Sequence, residues 1–480
     1  MTETIPHWLT KQADINPDGV AVEMDNGDVL TFNELKANSQ RFARKLAKAG
    51  ISNGMHVGIL STNNLRMITV IHALSYLEAV GVLLNTRLTT KEVNYQLQDA
   101  EVTHLLTASQ LNEEEQAAFN VREVLSFSEV EAYEEKDVEV ISELDLNATF
   151  TIIYTSGTTG FPKGVMHTYG NHWWSAIGSA LNLGLDKQDK WLIPLPLFHV
   201  SGLSTLIKSV IYGMPIYLLE KFDEKIVHEA IMTKGISIVS VVTVMVQRLM
   251  NLLGENSYPK TLRCMLLGGG PAPKPLLEKA KDRQVPVFQS YGMTETASQI
   301  VTLSPKDALE KVGSAGKALF PAQLKIVEPD EMNVGEIQVK GPMVTKGYYN
   351  HKSANETSIK DGWLATGDLG YLDDEGFLYV VDRRKDLIIS GGENIYPSEI
   401  ESVLSAMEQV KEVGVTGKED VRWGTVPVAF IVKSREVSIE EILAFAEKHL
   451  AKYKLPKEIH FVDALPRNAA NKLVRNKLRN

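Results

Sequence analysis

Up to about Val312 the chain alternates short apolar runs with helix-length amphipathic segments, and this rhythm constrains the fold more than any other feature. Between Asn33 and Gly50 the apolar residues Leu35, Phe42 and Leu46 recur at helical spacing, and Gly50 supplies a stop. Val57–Leu60 (VGIL) then reads as a buried strand, Leu65–Glu78 as a second helix, and GVLL around Gly81 as the next strand. Further apolar runs begin near Thr151, Trp191, Pro215, Ile236, Cys264 and Val285, each separated from the next by enough residues for a helix. Strands and helices in strict alternation predict an α/β fold of mostly parallel sheets with helices on their faces.

After about Val312 the pattern changes. Gln323–Gly341 and Tyr371–Arg383 carry short strands separated by turn signals, which predicts a small antiparallel β region. Beyond Lys385, helices near Ser398–Ala406 and Ser438–Leu450 alternate with strands near Val410, Val426 and Glu458–Val462, the pattern of a separate α+β domain. The expected organisation is a large domain over 1–384 and a small one over 385–480. The acidic stretch Glu129–Asp145 reads as a solvated connector.

Composition excludes several classes. With 480 residues, 44% hydrophobic and 23% charged, the chain is long enough for a large core without disulfide or metal staples. Its 50 basic and 60 acidic residues give a net charge of −10, and no basic stripe interleaved with aromatics is present, so nucleic-acid binding is not expected. The single cysteine, Cys264, lies in an apolar run and reads as core; no Cys/His cluster has metal-ligand spacing. The N-terminus MTETIPHWLTKQ lacks a basic region followed by an apolar core, and the most apolar stretch, Ile236–Val246, is too short to span a bilayer. A cytoplasmic protein is expected, and self-association is left open.

Chemistry concentrates in a few segments. In IIYTSGTTGFPKGVMHT (Ile152–Thr168) an apolar strand enters a loop of Thr155, Ser156, Gly157, Thr158, Thr159, Gly160 and Lys163. Glycines let the backbone approach a polyphosphate, N–H and hydroxyl groups donate to its oxygens, and the lysine adds charge. The loop is not a Walker A motif, because Gly164 follows Lys163. Gly50–Gly54 matches the GxSxG string, but a nucleophile elbow needs a strand before it and a helix after it, the reverse of the predicted order.

The phosphate loop resembles that of the adenylate-forming superfamily of acyl-CoA synthetases, luciferases and peptide-synthetase adenylation domains. Further segments resemble the superfamily in the same order along essentially the whole chain. The resemblance implies that His199, in PLPLFHVSG, lines an acyl pocket and pantetheine tunnel, although taken alone it reads more readily as a core histidine. It implies that Gly268, Gly269 and Gly270 form a shelf beside adenine, that Tyr291 stacks on the base, and that Thr294 bonds the α-phosphate. Glu295, with Thr155, would hold Mg²⁺ through oxygen donors. Asp368 and Arg383 would grip ribose and phosphate, Lys385 would serve as a domain hinge, and Lys472 would be the adenylation lysine. The implied substrates are ATP, a carboxylic acid and coenzyme A.

Within the superfamily, Tyr291–Pro305 and the segment GGENIYPSEIE resemble most the branch whose acid is aromatic and carries a second carboxylate. Lys208 gives this a physical footing: it stands in an otherwise apolar helix soon after His199, where it either pairs with that carboxylate or extends to the surface. Ser298 is a further candidate for contact with the acid. Val242-Thr243-Val244 replaces the Pro-Thr common in the pocket strand. Another aryl- or medium-chain acyl-CoA synthetase, or a non-catalytic adenylate-binding protein, remains open as an alternative.

Overall fold

The computed structural model describes residues 3–155, 162–269, 272–383, 386–390, 393–420, 423–450, 452–467 and 473–478. Two compact units are present, Met1–Leu324 with Val339–Leu364, and Lys325–Gln338 with Ala365–Asn480. The small β region therefore groups largely with the C-terminal segment. Chain contacts change hands at 364/365, upstream of Lys385.

The first unit holds two large runs of strands. One has the order Lys163–Thr168, Thr149–Thr155, Val80–Leu84, His56–Leu60, His104–Thr107, Glu123–Ser126, and every pair but the first is parallel. The other contains the parallel sequence Val287–Met293, Cys264–Gly268, Ile238–Val242, Trp191–Ile193, Ile216–Leu218, Val20–Met24. Antiparallel strands Ser298–Leu303 and Val29–Thr31 flank it. Successive side chains on these strands enter different cores. Trp191, Ile193, Ile238, Cys264 and Leu266 join one apolar cluster, while Leu192, Val239, Val241, Met265 and Leu267 join another on the opposite face. Because both faces are covered, the strands appear in the sequence as unbroken apolar runs rather than alternations.

Local signals set the helix ends. Thr31 caps the helix Phe32–Lys48 with a reciprocal capping box to Glu34, and Gly50, at φ 95°, ends that segment before the strand His56–Leu60. The GxSxG string is thus a helix-to-strand turn. The acidic stretch is more ordered than expected. Ser126 caps a short helix Phe127–Glu131, and Glu143–Asp145 pairs antiparallel with Thr4–Pro6. Its charges conceal Val130 and Leu144, which bury in the core.

In the second unit the part of the strand Trp363–Leu372 that follows Leu364 pairs antiparallel with Leu378–Arg383. A further sheet contains Val410–Asp420 and Gly424–Lys433, antiparallel, with Glu458–Phe461 parallel to the latter. Helices Pro397–Ser405 and Ile439–Glu447 pack on it through Ile400, Leu404 and Ile442.

One ion pair fastens the first unit's parallel sheet to a helix end. Asp189 is 2% exposed and receives Arg263 Nε at 2.7 Å, Arg263 Nη2 at 2.5 Å and the Ser237 hydroxyl at 2.7 Å. The same guanidinium donates to the carbonyls of Leu183 (2.6 Å) and Gly184 (3.1 Å), at the end of the helix Tyr169–Leu183. Burial alone raises the Asp189 pKa, but the hydrogen bonds from Arg263 and Ser237 outweigh it and leave the carboxyl below its ordinary value. Arg263→Ala should destabilise the protein by about 3 kcal/mol in urea unfolding, since it strands a buried carboxylate. Asp189 is depressed in the folded state, so its stabilising share is complete above the unfolded carboxyl pKa. The gap between wild type and variant should close as pH falls through the folded value.

Candidate active site

Three neighbouring parallel strands end at one edge of the sheet. Val242 lies opposite Gly268 and Leu267 opposite Gln289, so Thr243, Gly269 and Thr294 follow the carboxyl ends of adjacent strands. That edge is where open parallel sheets bind ligands. Val242-Thr243-Val244 is the junction between the strand Ile238–Val242 and the helix Thr243–Leu253.

The phosphate loop is the connection of an antiparallel hairpin. Thr155 ends one strand, Lys163 begins the next, and the two are directly opposite in register. Ser156, Gly157, Thr158 and Thr159 lie outside the described residues. Half-buried Lys163 holds its ammonium 5.2 Å from the centroid of the Tyr348 ring. The Tyr348 hydroxyl donates to Glu295 Oε1 at 2.9 Å, and Glu295 is 5% exposed. Burial, with the adjacent carboxylate, pushes the tyrosine pKa up and keeps it a donor. Glu295 is tied through its backbone as well, because Thr345 N donates to its carbonyl at 2.7 Å.

Glu295 sits in a sharp reversal. The strand Val287–Met293 passes into a 3₁₀ turn Thr294–Thr296, Ala297 takes φ 55°, and Ser298–Leu303 returns antiparallel. A Cβ on Gly292 would lie 2.2 Å from the Ser298 carbonyl, so the reversal admits only glycine there. His167 Nε2 is 2.6 Å from the Thr294 carbonyl. A carbonyl only accepts, so Nε2 carries the proton, and burial holds the imidazole pKa down at about 4, keeping it neutral. Tyr291 and Thr294 are both partly exposed at this edge. Gly269 takes φ 84°, a left-handed conformation suited to glycine, whereas a Cβ on Gly268 would meet nothing closer than Ser290 Oγ at 3.6 Å. Gly270 lies outside the described residues.

His199 occupies the N-cap position of the helix Val200–Tyr212 without a side-chain capping bond, half-buried, with its ring edge-on to Phe198 at 4.8 Å. Two and a half turns along the same helix (about 13 Å) comes Lys208, and the structure excludes its extension to the surface. It is 2% exposed, and Nζ donates to Ser298 Oγ and Gln299 Oε1, both at 3.0 Å, 5.9 Å from the Trp191 ring centroid. Among the described residues no carboxylate reaches its ammonium. Burial pushes its pKa down to about 7.

In the second unit Asp368 lies directly opposite Arg383 in the hairpin register, and its backbone N–H donates to Thr366 Oγ1 at 3.1 Å. Lys385 and Lys472 lie outside the described residues. The segments beside them are joined: Arg475 pairs with Glu401 at 2.6 Å and with Asp386 at 3.4 Å. Cys264 is fully buried and its thiol pKa is pushed up by burial, while neighbouring Arg263 is committed to Asp189.

Glu295 and Thr155 offer hard oxygen donors, and no group of three or more His, Cys, Asp or Glu forms a metal cage among the described residues. A single buried carboxylate beside a phosphate loop fits Mg²⁺, which commonly binds through one or two carboxylates plus substrate phosphates. No helix among the described residues is long and apolar enough to cross a membrane.

Residues 9–349 match the AMP-binding enzyme family and residues 399–472 the AMP-binding enzyme C-terminal domain. The chain belongs to the AMP-binding enzyme family. It is 61% identical over 483 residues to 2-succinylbenzoate–CoA ligase from Oceanobacillus iheyensis, covering 100% of both chains. It also superposes on o-succinylbenzoate CoA synthetase from Bacillus subtilis. For the complex with the acyl-adenylate intermediate the TM-score is 0.95 at 48% identity, covering 100% of this chain and 99% of that one. For the complex with ATP and magnesium ion the TM-score is 0.94 at 48% identity, covering 100% of each.

The structure joins Thr155 to Lys163, Lys163 through Tyr348 to Glu295, and Lys208 to Ser298. Tyr348, His167 and Gln299 were not singled out from sequence. His167 lies in the quoted GVMHT stretch, but its partner is 127 residues away, and Tyr348 is 53 residues from Glu295. Tyr348→Phe should cost about 1.5–3 kcal/mol of unfolding free energy in urea, the range for a hydrogen bond to a charged group, with circular dichroism unchanged.

Proposed function

We propose that the chain is an ATP-dependent ligase that activates 2-succinylbenzoate as its acyl adenylate and passes it to coenzyme A. The products are 2-succinylbenzoyl-CoA, AMP and pyrophosphate, a step of menaquinone biosynthesis. The observation that carries this choice of acid is the fully buried Lys208 ammonium, bonded only to neutral oxygens beside the Ser298 strand. A charge held out of water without a counter-ion is costly, and a substrate with a second carboxylate supplies the missing partner. The full-length likeness to 2-succinylbenzoate–CoA ligase supports the same reading. The protein acts in the cytoplasm.

In the first step the substrate carboxylate, already ionised at neutral pH, attacks the α-phosphorus of ATP. A carboxylate–phosphorus bond forms, and the bond to pyrophosphate breaks. No general base is required, only alignment and charge neutralisation. Lys163 with Ser156, Gly157, Thr158 and Thr159 cradles the polyphosphate, Thr294 donates to the α-phosphate, and Lys472 offsets the charge growing there. Mg²⁺ held by Glu295 and Thr155 neutralises polyphosphate charge when bound. Tyr291 and Gly268–Gly270 hold adenine; Asp368 and Arg383 hold ribose. In the second step the coenzyme A thiol attacks the acyl carbon along a path lined by His199, and AMP leaves. Residues 385–480 turn about Lys385 between the steps, removing Lys472 and admitting pantetheine.

Supplied with ATP, Mg²⁺ and coenzyme A, the protein should form thioester from 2-succinylbenzoate and little from benzoate or octanoate. A preference for either of the latter identifies a different acyl-CoA synthetase, and no acid-dependent pyrophosphate release identifies a non-catalytic binder. Lys472→Ala should lose most adenylation yet convert supplied acyl adenylate to thioester; equal loss in both half-reactions refutes the assignment of Lys472.

Lys208→Ala should reduce kcat/KM for 2-succinylbenzoate by about 2 to 5 kcal/mol and affect a monocarboxylic analogue far less. A pH profile adds an independent measure. Lys208 is charged below about pH 7 and neutral above it, whereas His172, which senses its charge, stays neutral because burial holds its pKa well below the ordinary value. The KM for 2-succinylbenzoate should therefore rise above pH 7 in the wild type, and that rise should vanish in Lys208→Ala.

A further inference from the structure

The network around Lys208 contains a second residue suited to discriminating between acids. An ammonium has three donors. Two are used, on Ser298 Oγ and Gln299 Oε1, and among the described residues no third acceptor engages Nζ. Gln299 is 6% exposed, and its amide is held from both ends: Oε1 accepts from Lys208 and from Ser298 Oγ, while Nε2 donates to Ser179 Oγ at 3.0 Å. Reversing the amide would set its N–H₂ against the ammonium, donor against donor, so the charge fixes its orientation. Ser298 Oγ also receives the Ser204 hydroxyl at 3.2 Å.

We propose that Gln299 is a positioning residue for acid selection, aiming the Lys208 ammonium while leaving its charge uncompensated. This rests on the reading of Lys208 as the partner of the substrate's second carboxylate. A glutamate at 299 would pair with Lys208 inside the protein and occupy the charge meant for the substrate. An apolar residue there would leave the ammonium anchored by Ser298 alone. A neutral acceptor of the same shape gives direction without neutralisation, so the remaining N–H⁺ is satisfied fully only by an anionic ligand.

The test compares kcat/KM for 2-succinylbenzoate with that for 4-oxo-4-phenylbutanoate, which keeps the ketone and chain carboxylate but lacks the ring carboxylate. In Gln299→Glu the ratio should fall about 100-fold, carried by KM, as expected when a charge pair is pre-empted. In Gln299→Met it should fall about 10-fold through loss of one hydrogen bond to a charged group. A merely structural Gln299 would lower both acids together and leave the ratio within about 3-fold of wild type, which overturns the proposal. If Gln299→Glu does not fold, the ratio in Gln299→Met decides by the same criterion. Lys208→Met in the same assay separates the two ideas. If it affects both acids equally, the parent reading fails and this inference with it; if it is selective while the Gln299 variants are not, only the inference fails.

Discussion

Burial of both faces of the parallel sheet in the first unit is the constraint on which the site depends. Trp191, Ile238 and Leu266 face one apolar cluster and Leu192, Val239 and Met265 the other, so the strands cannot slip by one residue without exchanging whole sets of side chains between cores. Their carboxyl ends therefore emerge at fixed relative heights, with Val242 level with Gly268. Chemistry that relies on alignment rather than on a nucleophile or base needs such fixed heights, because a displacement of an ångström costs as much as a lost catalytic group.

Polar groups within this apolar frame fall into two kinds. Asp189 with Arg263 is a satisfied pair that ties a helix end to a strand, and its geometry is complete without ligand. Lys208 differs: it is as deeply buried, but it is held by neutral oxygens. Burial lowers its pKa, and no neighbouring carboxylate among the described residues raises it again. Buried ionic groups that are complete stabilise or specify a fold, whereas one left incomplete points to a ligand.

The connection from Lys163 through the Tyr348 ring to the Glu295 carboxylate links the phosphate loop to the reversal that presents Thr294. His167, next to Met166 on its strand, donates to the Thr294 carbonyl. These contacts hold the candidate phosphate and metal groups by backbone and ring contacts rather than by long flexible chains, which is the condition for electrostatic preorganisation.

The order and type of most elements, the turn at Gly50, and the local motifs around Thr155, Tyr291 and Asp368 were all determined by sequence. Each depends on residues close along the chain or on a periodicity that burial of two sheet faces imposes. The short helix and strand hidden in the acidic stretch escaped because charge masked Val130 and Leu144. Tertiary structure alone decided the rest. A lysine in an apolar helix has the same spacing whether it snorkels or is buried, and only the return strand carrying Ser298 and Gln299, about ninety residues on, closes over it. Tyr348 and His167 likewise meet Glu295 and Thr294 across long stretches of chain, where no local pattern records the contact.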